Sequence, residues 1–121
     1  MVFNIDNNGD IALKQGDSDT LAFAFTDDSG NPIDITGSTL YFSVKSSIDD
    51  STYYFQKTIT SHTNAINGLT EVSISSSDTD ASGLYFYDCV LIFANGARDS
   101  FFPESKSKTG KFMIHKGVTS V

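Results

Sequence analysis

A chain of 121 residues with 39% apolar content is long enough for one domain around a single core and too short for two. A net charge of −7 excludes the basic stripe that a phosphate backbone or an anionic membrane surface requires; Lys106, Lys108, Lys111 and Lys116 are the only loose grouping. MVFNIDNN has neither a basic start nor an apolar centre, and no apolar run is long enough to cross a bilayer, so no leader and no span are expected.

Aspartate outnumbers glutamate thirteen to two, and serine and threonine are abundant. These side chains hydrogen-bond nearby backbone and compete with helix, so period-two alternation is the pattern to follow. Residues 1–10 read as a short tail. Ile11 and Leu13 then alternate with Ala12 and Lys14. After the KQGD turn, Leu21, Phe23 and Phe25 alternate with Thr20, Ala22, Ala24 and Thr26. DDSGNP turns the chain, Pro32 withholding a donor that a central strand would need, and IDITG crosses over. Leu40, Phe42 and Val44 open the next strand. Phe55 and Ile59 lie in TYYFQKTIT, Val72 and Ile74 in TEVSIS after the NAING turn, and Phe112 and Ile114 in KFMIH before a short tail over 117–121.

About seven short strands at regular spacing predict a single all-β domain over 1–121, an immunoglobulin-like antiparallel β-sandwich. No strand carries the glycine kinks that closing a barrel needs. The expected core is Leu21, Phe23, Phe25, Leu40, Phe42, Val44, Val72, Ile74, Tyr85, Tyr87, Leu91 and Ile114. Cys89 is the only cysteine, so no internal disulfide forms; its apolar setting YFYDCVLIF predicts a buried structural thiol, consistent with a reducing cytoplasm.

Leu84 to Phe93 is the most informative strand. The approach DTDASGLY carries the D-x-x-G-x-Y pattern of a tyrosine corner, which assigns Tyr85 a hydroxyl bond to backbone near Asp78 to Ala81. Tyr87 stands where an antibody domain has its disulfide cysteine. Both faces of this strand are apolar apart from Asp88. A two-residue Asn95-Gly96 hairpin would set Ala94 opposite Ala97 and Val90 opposite Phe101. Leu84, Phe86, Val90, Ile92 and Phe101 then form an outer apolar patch, the candidate protein interface, covered by a neighbouring chain or by PESKSKTG folding back.

No catalytic, cofactor or metal residue is assigned. His62, in a polar loop, and His115, near the end of the last strand, lack a nucleophile elbow or an orienting acid, and both read as surface histidines. The acids sit mostly in turns, which leaves no carboxylate pair for glycosidase work. Asp6, Asn8, Asp10 and Asp17 imitate a calcium loop, but Ile11 occupies the glycine place and the closing glutamate is missing. Phosphate-loop glycines and Cys/His zinc spacings are absent from the sequence. Tyr41, Tyr53 and Tyr54 are candidates for stacking on sugar, although the chain has no tryptophan.

Three stretches together resemble a known family: KQGDSDTLAFAFTDDSGNPIDITGSTLYFSVK, FQKTITSHTNAINGLTEVSISSSDTDASGLYFYDCVLIFANG and GKFMIHKGVT. They are similar to small immunoglobulin-like structural proteins of tailed bacteriophages, akin to the N-terminal domain of baseplate upper proteins. The most specific elements are G-N-P-I-D-I-T-G-S-T, the block D-T-x-x-x-G-x-Y-x-Y-D, and G-K-F-x-I followed by V-T. The sequence departs from the family in SFFPESKSKT, where the last strand is expected to run more directly into GKF. The resemblance implies a non-enzymatic component of a virion, in tail, baseplate, neck or capsid. Its partners would be other virion proteins in a symmetric assembly, with no nucleic acid and no membrane, and it would be made in the host bacterial cytoplasm. The alternative function is a carbohydrate-binding or adhesive β-sandwich.

Overall fold

The computed structural model describes residues 2–3, 10–27, 29–47, 49, 51–102 and 110–117, with backbone alone for 2, 3 and 100–102. Among these residues the chain forms β1 (Val2–Phe3), β2 (Ile11–Lys14), β3 (Asp19–Ala24), β4 (Thr39–Lys45), β5 (Phe55–Ile59), β6 (Leu69–Ile74), β7 (Gly83–Ile92), β8 (Arg98–Phe102) and β9 (Gly110–His115). A single 3₁₀ turn, Ala65–Asn67, precedes β6. One sheet has the order β1-β3-β6; the larger runs β2-β9-β7-β4-β5, with β8 also paired to β7. Phe23 of the small sheet meets Phe42 of the large one at 6.0 Å between ring centroids. The two sheets therefore share one core, and the fold is an immunoglobulin-like sandwich held without a disulfide.

Three features differ from the expected antiparallel sandwich of about seven strands. Val2–Phe3, inside the segment read as a tail, pairs in parallel with Thr20 and Leu21 of β3. β2 runs parallel to β9, from Ile11 opposite Phe112 to Lys14 opposite His115. Parallel neighbours need a long connection, and here almost the whole domain lies between the two strands. Last, β8 and β9 line the same edge of β7, so the final strand is one strand broken in two. Phe102 stands opposite Cys89 and Gly110 opposite Tyr87. Nearly all of the segment Pro103 to Gly110 lies outside the described residues; only Gly110, which begins β9, is placed.

Alternation puts every expected core side chain inside. Leu21, Leu40, Phe42, Val44, Val72 and Leu91 are fully excluded from solvent, and Ile11, Leu13, Ile35, Cys89 and Phe112 join them. Phe42 is the hub. Its ring lies within 5.5 Å of Tyr87 and about 6 Å of Phe23, Phe55 and Phe112, so rings from both sheets meet on β4. Cys89 is wholly buried, and that burial, with Asp88 beside it, raises its thiol well above the ordinary value. A thiol so placed is a packing group and not a nucleophile.

The turns explain why aspartate is so frequent. A short carboxylate reaches backbone two to four residues away. Asp27 Oδ1 accepts from the amides of Ser29 and Asn31, closing the turn that Gly30 makes possible. Asp34 takes both the amide and the hydroxyl of Thr36, and these bonds hold its carboxyl below the usual range. Between them Pro32 bridges to Thr26, and Ile35 plugs into the core as the chain changes sheet. GNPIDITGST is thus a connector. Asp78 accepts from the amide and hydroxyl of Ser75 and pairs with Lys57 at 2.7 Å. Burial raises its carboxyl, but Lys57 and Ser75 outweigh that and leave it below the usual range.

Candidate functional site

The patch predicted on the outer face of β7 is broken into two parts. The first change is in the hairpin. The amide of Phe93 bonds the carbonyl of Ala97 at 2.8 Å, which leaves a three-residue loop in place of the expected two. Gly96 takes φ +88°, and Asn95 Oδ1 accepts from the amide of Ala97, a conformation that suits a turn followed by a bulge. Val90 consequently faces Ser100, not Phe101, and the register slips between Cys89 and Val90. Phe101 falls at that irregularity and is not the partner that the shorter loop assigned to Val90. Val90 itself is only 7% exposed, opposite Tyr41 of β4. It belongs to the fold and is not an available contact.

Leu84 is 43% exposed and sits in a different place. It lies opposite Met113 of β9, which in turn lies opposite Ala12 of β2. Ala12 and Met113 alternate with buried neighbours and Leu84 precedes buried Tyr85, so the three form an apolar row across the outer face of three strands. Phe86, half-buried, stands between this row and the rest of the face.

The other part is a groove of about 470 Å³ where β4, β5, β7 and β8 adjoin. Tyr41, Tyr53, Phe86 and Ile92 are its aromatic and apolar lining, and Asp88, Lys45 and Arg98 are its charged lining. Burial pushes the Asp88 carboxyl above its usual range, against the pull of Lys45 and Arg98. The ammonium of Lys45 rests 5.1 Å from the ring centre of Tyr53. Gln56 donates to Ser43 at 2.9 Å beside them. The outward residues of β7 from Phe86 to Ile92, which read as an apolar surface broken only by Asp88, therefore line a mixed aromatic and polar depression.

The remaining candidates have structural employment. The hydroxyl of Tyr85 donates to the carbonyl of Ala81 at 2.9 Å, the geometry of a tyrosine corner. Tyr54 stacks on Tyr85, 4.4 Å between centroids, and donates to Asp80 at 3.0 Å. Burial, then the bond to Asp80, pushes its hydroxyl up to about 12. Tyr54 is thereby removed from any sugar-stacking set, whereas Tyr41 and Tyr53 share the groove. The loop before β7 is also pinned at Thr79, which is fully buried and donates to the carbonyl of Asp17 at 2.8 Å.

His62 is not a plain surface histidine. It is half-buried, with Nδ1 2.9 Å from the Thr70 hydroxyl and Nε2 3.0 Å from the carbonyl of Ser38. A carbonyl only accepts, so Nε2 donates to Ser38, while Nδ1 is hydrogen-bonded to the hydroxyl of Thr70. The ring bolts the small sheet to the start of β4. A single polar loop position offered no periodicity from which to read this. His115 is exposed. Of the calcium-like set, Asp10 accepts from the amide of Lys111 at 3.1 Å, and Asp6 and Asn8 lie outside the described residues.

The N-terminal domain of phage TP901-1 ORF48 superposes with a TM-score of 0.58 at 16% sequence identity, covering 95% of each chain. That likeness concerns the fold. No curated protein matches the sequence. The BppU N-terminal domain matches residues 3–114. The chain belongs to the family of BppU N-terminal domains, the N-terminal domains of phage baseplate upper proteins.

Proposed function

We propose that this domain is a non-enzymatic structural component of a bacteriophage virion, held in the baseplate region by contacts with other virion proteins. Family membership over residues 3–114 supports the setting. The observation that carries the contact is the row Ala12, Met113 and Leu84, continued by Phe86. An apolar row on a sheet face, set among polar residues such as Lys14, Lys111 and His115, is what a protein partner covers. In a virion each contact is repeated by symmetry, so modest area per copy suffices once several copies bind together. The domain would be made in the host cytoplasm, where a lone buried thiol is stable.

Leu84→Asp and Phe86→Asp test the reading. Both residues have solvent access, so each variant should remain a folded monomer by circular dichroism and fail to enter particles in a complementation assay. Val90→Asp is unsuitable, because its burial would make any failure a folding defect. Normal occupancy of both folded variants in particles would refute attachment through this row.

A further inference from the structure

We infer that the groove between β4, β5, β7 and β8 is a saccharide-binding site, which adjoins the apolar row that anchors the domain and shares Phe86 with it. Its volume of about 470 Å³ is within the range of about 300–1,000 Å³ typical of small-ligand sites. Tyr41 and Tyr53 are among the lining residues, and pyranose rings present flat C–H surfaces that pack on aromatic rings. Around these rings are groups of both hydrogen-bonding kinds. Asp88 accepts, Arg98 donates, and the Tyr41 hydroxyl does either.

Two observations direct these groups outward. Among the described residues, no hydrogen bond is made by the Asp88 carboxylate, the Arg98 guanidinium or the Tyr41 hydroxyl. Elsewhere in the protein the aspartates at turns are engaged by backbone, as Asp27, Asp34 and Asp78 are. Asp88 is also half-buried on a strand, where a carboxylate without a hydrogen bond is unfavourable to the fold even with Lys45 and Arg98 nearby. With Lys45 and Arg98 beside Asp88, the groove presents both signs of charge together with the tyrosine hydroxyl. A neutral ligand with many hydroxyls satisfies both signs at once. The Gln56–Ser43 bond ties two polar lining residues together on the β5 side.

The test is a titration of the ¹⁵N-labelled full chain with trisaccharides of glucose, galactose, rhamnose and N-acetylglucosamine. Each is added to about 10 mM, enough to fill a site with a Kd near 1 mM. Amide shifts confined to Tyr41, Gln56, Asp88 and Arg98 are expected for at least one sugar. Tyr53→Ala and Arg98→Ala, both at exposed positions, should each weaken that binding about tenfold while leaving the spectrum otherwise intact. Leu84→Asp should leave it unchanged, which separates this site from the anchoring row. The absence of localised shifts with all four sugars overturns the inference. So does loss of particle incorporation on Arg98→Ala without any sugar response, which would assign the groove to a protein contact.

Discussion

Gly68 is the position at which the fold has least room. It follows the 3₁₀ turn at φ +71°, its amide bonds Ala65 and its carbonyl accepts from the amide of Phe25 at 2.9 Å. A Cβ built there would stand 2.6 Å from the carbonyl oxygen of Phe25 and 2.7 Å from that of Ile33. Both obstacles are backbone, and Ile33 also bonds Phe25 through its amide, so neither can swing aside. Gly30 is the control, with φ +84° and open space around the same added carbon. A left-handed alanine costs about 1–2 kcal/mol, and that contribution is common to both sites. Gly30→Ala should therefore lose about 1 kcal/mol. Gly68→Ala should lose about 3 kcal/mol or more, because relieving the contact means pulling β6 away from the Phe25–Ile33 crossover. Urea unfolding followed by intrinsic tyrosine fluorescence measures both, with the slope checked for constancy. If Gly68→Ala is no less stable than Gly30→Ala, the close approach is not a constraint and the reasoning fails.

Phe42→Ala removes the ring on which four others converge and should cost about 3–5 kcal/mol; a loss under about 1 kcal/mol in the same unfolding assay would deny it the central place. Tyr85→Phe deletes only the bond to Ala81 and should cost about 0.5–1.5 kcal/mol, with no change in slope. Tyr54 has its hydroxyl raised to about 12, so the folded state favours the protonated phenol; the stability this contributes is full below pH about 10 and is lost as pH rises toward 12. Tyr54→Phe should flatten that alkaline decline, and an unaltered decline counts against the assignment. Asp88 is raised by the same leading cause, burial: its contribution is present only below the unfolded value near 3.9 and is lost as pH rises through the folded value. Asp88→Asn should therefore raise the melting temperature at neutral pH and not at pH 3; equal effects at both would show that desolvation is not the cause.

Much of the fold was legible because a half-buried strand writes its burial into every second residue. Phe23, Phe42 and Tyr87 could be placed inside from alternation alone, and Tyr85 from its distance to Gly83. The parallel pairing of β2 with β9 was not legible, since period two gives the face of a residue and says nothing about the direction of its neighbour. The outer face was misread for a related reason. One residue more in the Asn95-Gly96 loop moves Ser100 into the place expected of Phe101, and a register shift of one exchanges the two faces of β8. The hairpin letters admit both loops. His62 was missed because its partners, Ser38 and Thr70, are distant in sequence and carry no joint signal.

The block D-T-x-x-x-G-x-Y-x-Y-D shows how far a family signature reports the frame and how far it reports the use. Asp78 holds Ser75 and Lys57. Thr79 ties the loop to Asp17, Tyr85 bonds Ala81, and Tyr87 lies 5.5 Å from the ring of Phe42. Each of these residues acts within the molecule. The final aspartate, Asp88, has no hydrogen bond among the described residues, and its partial burial makes its charge a disadvantage to the fold. Stability alone would replace it by a neutral residue, as Ser43 opposite it already is. A charged group kept where the fold is better without it is explained by something outside the fold. The groove that Asp88 lines together with Tyr41 and Tyr53 is where that something would bind.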